Sequence, residues 1–362
     1  MKNYIFIWGR DPDLSLLELQ AYLKARNIEY KIISSQKEGL IVSMEKQDFN
    51  SMIKILGGTI KIAGIFNPRN DILYDGEKNK IRYGLSYYNS NLNLRSLIKS
   101  RLKKERIKGT LKTSKRKDTF LSPSESMKIL GNGFEIIVLK NQIGKLIACF
   151  DPKSQEQRDK SRPMQRPLQM ISIRLAKILI NLAGAKENDS LLDPFCGIGV
   201  LLQEAIYMNI NVLGLDINQR CVDDSNKNLK WMKKQFHLKN SFKVIRFDST
   251  RLSKVIKKVD AVATEPYLGP LLKKLPTGQE ANKILNNLKP IYSNLLNELK
   301  KVVKGKVAII IPRFRLHNGK RIKMDFIKLI NRSGFTASRQ FPIIYNAVKS
   351  KIEREIWVLE KR

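Results

Sequence analysis

Asp193-Pro194-Phe195-Cys196-Gly197-Ile198-Gly199 follows the apolar pair Leu191-Leu192 and runs into the apolar stretch from Val200 to Tyr207. A short strand, a turn with two glycines and then a helix is how a parallel sheet passes its chain into a crossover. The glycines let the backbone approach a ligand closely. The turn alone is weak evidence, but the next apolar run, Val212-Leu213-Gly214-Leu215-Asp216, ends in a carboxylate twenty-three residues after Asp193. That is close to the roughly 20-residue offset at which an acid can bind ribose hydroxyls. A third run ends in Phe247-Asp248-Ser249, a fourth (Val259 to Ala263) leads into Thr264-Glu265-Pro266-Tyr267, and a fifth covers Lys306 to Pro312. Strands alternating with helices predict an α/β fold, with a Rossmann-like, mostly parallel, doubly wound sheet over 171–362.

The residue types at the strand ends select a ligand. A dinucleotide turn calls for a third glycine and leaves its helix N-terminus to a pyrophosphate, whereas Asp193 would repel phosphate and suits a cationic amino-acid group. That favours S-adenosylmethionine over a nicotinamide cofactor. Any one of the three acids could be an ordinary helix cap. Three in register at successive strand ends make the candidate cofactor set Asp193, Phe195, Gly197, Gly199, Asp216, Ile217, Asp248 and Ser249, with an adenine amino group donating to Asp248.

An apolar strand that ends in acid-Pro-aromatic resembles the Asp-Pro-Pro-Tyr loop of methyltransferases acting on exocyclic amino groups of bases. A conjugated amine is a weak nucleophile, so its N–H groups need acceptors that tolerate developing positive charge. Glu265 and the Pro266 carbonyl are the candidate acceptors, and Tyr267 the ring that stacks on the base. This loop has one proline and a glutamate. Either Glu265 replaces the aspartate with one proline lost, or Thr264 takes its place.

Outward from this core, 362 residues predict more than one domain, and 68 Lys and Arg against 33 Asp and Glu give a formal charge of +35. Self-repulsion on that scale points to a polyanionic partner, while 42 % hydrophobic residues exclude a disordered basic tail. The three cysteines and two histidines show no metal-ligand spacing, so no metal is expected. The N-terminal run Tyr4 to Trp8 reads as a strand start and not as a signal peptide, and no run approaches the ~18 apolar residues of a membrane span. A cytoplasmic protein without an obligate protein partner is expected.

Residues 1–65 read β-α-β-β-α-β, a ferredoxin-like order. Residues 66–152 form a second α+β unit, 153–170 a Pro- and Ser-bearing linker. Between Arg95 and Asp118 stand eleven Lys or Arg and two acids, interleaved with Leu97, Ile98 and Leu102, which predicts a helix with one buried and one positive face. Lys103, Lys104, Arg106, Lys115, Arg116 and Lys117 are the candidate RNA contacts.

With Tyr4 to Ser15, the hinge Arg162-Pro163-Met164-Gln165-Arg166-Pro167, the Asp193 turn and the Glu265 loop in view, the chain resembles the THUMP-containing RNA guanine-N2 methyltransferases that act on guanosine 10 of tRNA. The resemblance implies that 66–152 is a THUMP-like RNA-binding domain and that the partner is tRNA. Two other readings share part of this pattern: a DNA or RNA adenine-N6 methyltransferase, and a noncatalytic RNA-binding protein on the same fold. If the six basic residues contact phosphates, neutralising three of them should weaken RNA binding across sequences. The slope of log K against log salt should then shrink by about 0.7–0.9 per lost contact; an unchanged slope rules the contacts out.

Overall fold

The computed structural model describes residues 1–165, 171–345 and 350–362; Arg166 and Pro167 of the expected hinge lie outside the described residues. The chain divides into two compact units, Met1–Lys160 and Ser161–Arg362.

The first unit opens with β1 (Lys2–Trp8), α1 (Pro12–Ala25), β2 (Tyr30–Ser35), β3 (Gly39–Met44), α2 (Phe49–Ile55) and β4 (Thr59–Ile65). It continues with β5 (Lys80–Tyr88), α3 (Arg95–Lys104), β6 (Lys108–Lys112), α4 (Pro123–Leu130), β7 (Gly133–Leu139) and β8 (Gln142–Cys149). Local chemistry sets the helix starts: Asp48 accepts from the Ser51 amide at α2, and Ser122 and Glu125 form a reciprocal capping box at α4. All eight strands form one sheet in the order β2-β3-β1-β4-β8-β7-β5-β6. β4 pairs antiparallel with β8, and one core cluster draws Ile5, Ile41 and Ala63 together with Tyr88, Ile137 and Leu146. The segments 1–65 and 66–152 thus share a sheet and part of a core.

Lys61 on β4 and Glu135 on β7 pin this junction. Both side chains are fully buried, with Lys61 Nζ 2.6 Å from Glu135 Oε1 and donating also to the Leu121 carbonyl at 2.8 Å. Ser86 Oγ donates to the same carboxylate oxygen. The pair reaches across the intervening β8, so it forms only when the two halves of the sheet have joined.

The basic segment is not one helix. α3 ends at Lys104, Arg106 adopts φ +55°, and the chain then pairs as β6 along β5. Gly109 explains the break: a side chain there would meet Leu102 Cδ1 at 2.5 Å, so the chain packs tightly under α3. Where a linker was expected, α5 (Pro152–Ser161) forms instead. Asp151 accepts from the amides of Lys153 and Ser154, Pro152 suits the first turn, and a Glu156–Lys160 pair braces the exposed side.

The second unit contains α6 (Ile173–Leu182), β9 (Ser190–Asp193), α7 (Val200–Tyr207), β10 (Asn211–Asp216), α8 (Gln219–Phe236), β11 (Phe242–Arg246) and β12 (Ala261–Thr264). Then come α9 (Gly278–Val302), β13 (Val307–Arg315), β14 (Arg321–Lys323), α10 (Phe326–Arg332), β15 (Phe335–Ala337), β16 (Ile343–Tyr345) and β17 (Ile352–Lys361). The main strand order is β11-β10-β9-β12-β13-β17-β15. β9 to β13 are parallel, as expected, while β14 to β17 add an antiparallel edge that short runs of ambiguous period did not reveal. The order reverses between β9 and β12, and in open α/β sheets ligands bind beyond the carboxyl ends of the strands at that reversal. Among the described residues, no helix is long and apolar enough to cross a membrane.

Lys61→Met should lower the stability of the first unit by about 3–5 kcal/mol, because it strands the Glu135 carboxylate in the core. Lys61→Met with Glu135→Leu should recover most of that loss in urea unfolding.

Candidate active site

Four strand ends meet at the reversal. Asp193 closes β9, Asp216 closes β10, Asp248 follows β11 and Glu265 follows β12. A cleft of about 940 Å³ opens there, lined by Phe195, Gly197, Asp216, Ile217, Asp248, Ser249, Glu265, Pro266 and Tyr267 among others. Nine of the eleven cofactor and catalytic candidates therefore share one cavity. The other two serve it from behind.

Asp193 is 3 % exposed and lines a smaller chamber of about 60 Å³ that also touches Glu265. Its Oδ1 accepts from Thr264 Oγ1 at 2.7 Å and from the Phe195 amide at 3.1 Å. Burial is the main force on its carboxyl, pushing it up to about 7; the two hydrogen bonds oppose the shift, and the charges of Asp216 and Glu265 add to it. Gly199 lies against α8. A side chain there would sit 2.3 Å from Ser225 Oγ, and its φ of +81° already favours glycine, so this residue shapes the turn instead of lining the cleft. Gly197, at φ +52°, has open space where a Cβ would project, which leaves its backbone bare toward the cavity.

Asp216 is held at both oxygens: Oδ2 accepts from the Gly197 amide and Oδ1 from the Asn218 amide, each at 2.9 Å. Each oxygen keeps a further lone pair for a hydroxyl donor. Asp248 accepts from the amide and hydroxyl of Thr250 through Oδ1, and those bonds hold its carboxyl below the ordinary range. Ser249 donates to the Pro194 carbonyl, tying the β11 end to the β9 turn.

The loop after β12 separates the two alignments of the acid. Thr264 is fully buried and spends its hydroxyl on Asp193, whereas Glu265 faces the cleft. Pro266 is buried behind it, and Tyr267 is 52 % exposed. The buried Tyr292 hydroxyl donates to the Tyr267 carbonyl at 3.1 Å and fixes the loop from α9. The sequence reading missed Arg354 on β17, whose Nε donates to Glu265 Oε1 at 2.5 Å. Its one visible signal is the alternation Glu353-Arg354-Glu355 on a strand, which places 354 on the opposite face from the two acids.

In the first unit, all six basic candidates are exposed but fall into two groups. Lys103, Lys104 and Arg106 precede β6, while Lys115, Arg116 and Lys117 follow it, so a strand of roughly 15 Å separates them. Glu125 anchors the second group by accepting from the Lys115 amide at 2.8 Å. Burial works against its charge, yet the bonds from Lys115 and Ser122 bring its carboxyl down to about 2. Among the described residues, no cluster of His, Cys, Asp and Glu is placed to hold a metal ion.

Comparison with known proteins gives two family matches, the RMKL-like methyltransferase domain over residues 160–318 and DNA methylase over residues 36–227. The chain is 36 % identical to the tRNA (guanine(10)-N2)-dimethyltransferase of Methanothermobacter thermautotrophicus over 39 % of its own length and 41 % of that protein. That match spans less than half of the curated relative. A probable tRNA (guanine(10)-N2)-dimethyltransferase of Methanothermococcus thermolithotrophicus is 33 % identical, covering 35 % of this chain and 74 % of that one. The crystal structure of TrmN from Thermus thermophilus has the same fold, with a TM-score of 0.53 at 14 % identity, over 99 % of this chain and 100 % of that chain.

Asp193 keeps its proton to about pH 7 in the folded chain but ionises near its ordinary 3.8 once exposed. Between those values the folded state binds more protons, so this group's contribution to stability is complete below about pH 4 and is lost as pH rises through 7. Asp193→Asn should flatten that part of the stability profile in urea titrations run from pH 4 to 8. An identical slope in both proteins would contradict a protonated Asp193.

Proposed function

The chain belongs to the family of the probable tRNA (guanine(10)-N2)-dimethyltransferase of Methanothermococcus thermolithotrophicus, and we propose that it methylates the exocyclic 2-amino group of a guanosine in tRNA, at a site like position 10, using S-adenosylmethionine. The observation that carries this reading is the convergence of Asp216, Asp248 and the Glu265-Pro266-Tyr267 loop on one cleft, with Asp193 buried beneath it. The donor set suits that cofactor: it is rich in acceptors for hydroxyls, an amine and a cationic group, and the bare Gly197 backbone leaves room for close approach.

When bound, S-adenosylmethionine supplies an electrophilic methyl group on a positively charged sulfur. Asp216 would accept from the ribose hydroxyls and Asp248 from the adenine amine, and Ile217 and Phe195 would offer apolar surface to the ring. A positive charge brought near Asp193 by the bound cofactor would favour its ionised form, since burial is the main force raising its carboxyl. Glu265 accepts an N–H of the target amine and carries the negative charge that offsets the cation forming on nitrogen. The Pro266 carbonyl, which no protein donor reaches among the described residues, takes the second N–H. Tyr267, half exposed at the mouth, stacks on the base and excludes water from one side. The basic groups around β6, in the segment 66–152 that resembles a THUMP domain, hold the tRNA backbone.

The DNA methylase match, over residues 36–227, favours a second reading, transfer to a DNA base, and the chemistry of the Glu265 loop would serve an adenine amine equally. Labelled S-adenosylmethionine incubated with unmodified tRNA, ribosomal RNA and duplex DNA separates the readings. Methyl on guanosine N2 of tRNA is the expected outcome, methyladenine in DNA supports the second, and RNA binding without transfer overturns both. Asp216→Ala should weaken cofactor binding by about 1.5–3 kcal/mol in calorimetry. Glu265→Gln should slow single-turnover transfer by about 10²–10³-fold with both ligands still bound.

A further inference from the structure

We propose that Arg354 is a positioning residue for methyl transfer: it fixes Oε1 of Glu265 through Nε and leaves Oε2 to the target amine. The inference rests on the transferase reading above and adds to it a residue 89 positions away in the chain from the acid it serves.

The geometry is specific. Arg354 and Glu265 both line the cleft, and their side chains are 18 % and 17 % exposed, so the pair is largely shielded from water and salt. Arg354 stands on a strand paired on both sides, opposite Pro312 of β13 and Tyr345 of β16, which fixes its backbone. The other cation lining the cleft among the described residues, Lys351, donates to the Leu272 carbonyl at 2.9 Å and is committed to the cleft wall. Arg354 is therefore the cation that meets the loop acid.

Two consequences follow for the amine acceptor. A free glutamate rotates about three side-chain bonds and presents either oxygen in many directions, while a reacting group misplaced by about 1 Å can cost 10² in rate. A short charge-assisted bond to one oxygen removes most of that freedom and sets the direction of the other. The pair also sets a guanidinium beside the loop acid, in a neighbourhood that holds two further carboxyl groups, Asp193 and Asp216. The choice of glutamate in this loop then has a reason: its extra carbon carries the carboxylate out to Arg354 without moving the backbone of β12.

The test is a double-mutant cycle on the full-length chain, using Arg354→Gln, Glu265→Gln and their combination. Single-turnover rate on tRNA, cofactor affinity and RNA affinity are measured for each. Arg354→Gln is expected to slow transfer by about 10²-fold while both affinities hold, and to add little once Glu265→Gln is present. Arg354→Lys, which keeps the charge but offers a differently placed donor, should recover part of the rate. Glu265→Asp should lose rate as Arg354→Gln does, because the shorter acid no longer reaches. Equal losses from Arg354→Gln in both backgrounds, or a fall in cofactor affinity that accounts for the rate, would overturn the proposal. A wild-type chain that transfers no methyl group to any nucleic acid overturns the function and this inference together; an active wild type with additive losses overturns the inference alone.

Discussion

The second unit is organised around one hydrogen bond, from Thr264 Oγ1 to Asp193 Oδ1 at 2.7 Å. It joins the ends of β9 and β12, the two strands between which the sheet reverses, inside a region closed to water. A carboxyl group placed there without a donor would be costly, and with one it becomes a rivet. Because Thr264 is held, Glu265 must point into the cleft; because Asp193 is held, the Phe195 and Gly197 backbone must pass over it toward Asp216. Each neighbouring residue inherits its direction from this contact.

The charge distribution divides the work of recognition. The whole chain carries +35, yet the cleft is lined by acids at the ends of three parallel strands, Asp216, Asp248 and Glu265, with Asp193 of a fourth behind them. A basic exterior concentrates polyanions near the molecule at long range and screens with salt. Within the cleft the carboxylates stand beside only two cations, Lys351 and Arg354, among the described residues.

The parallel core and its strand-end acids were legible in the sequence because each is a local pattern: an apolar run, a turn residue and a carboxylate at a set offset. β9 and β10 lie where their runs predict, and most of the cofactor candidates share one cleft. What sequence could not show was which partner each acid meets. The Thr264–Asp193 bond spans 71 positions and the Arg354–Glu265 pair 89, and neither has a periodic signature. The basic run around β6 misled for a different reason. Its apolar residues keep helical spacing through Leu102, but the close approach at Gly109 requires a strand, and packing outweighs a short periodic pattern. α5 escaped notice because a helix stabilised by capping and side-chain pairs has no apolar stripe to read.

The pairing of β4 with β8 also dictates an order of events during synthesis. Lys61 faces Cys149 in register, so the first four strands emerge from the ribosome long before their neighbour exists. Through that interval the β4 edge offers unpaired amides and carbonyls, and Lys61 lacks the Glu135 carboxylate that neutralises it in the finished core. An ammonium on an open edge opposes strand addition by another chain. The residue that later seals the two halves of the sheet thus serves first as a guard against aggregation, a duty that ends when β7 and β8 arrive.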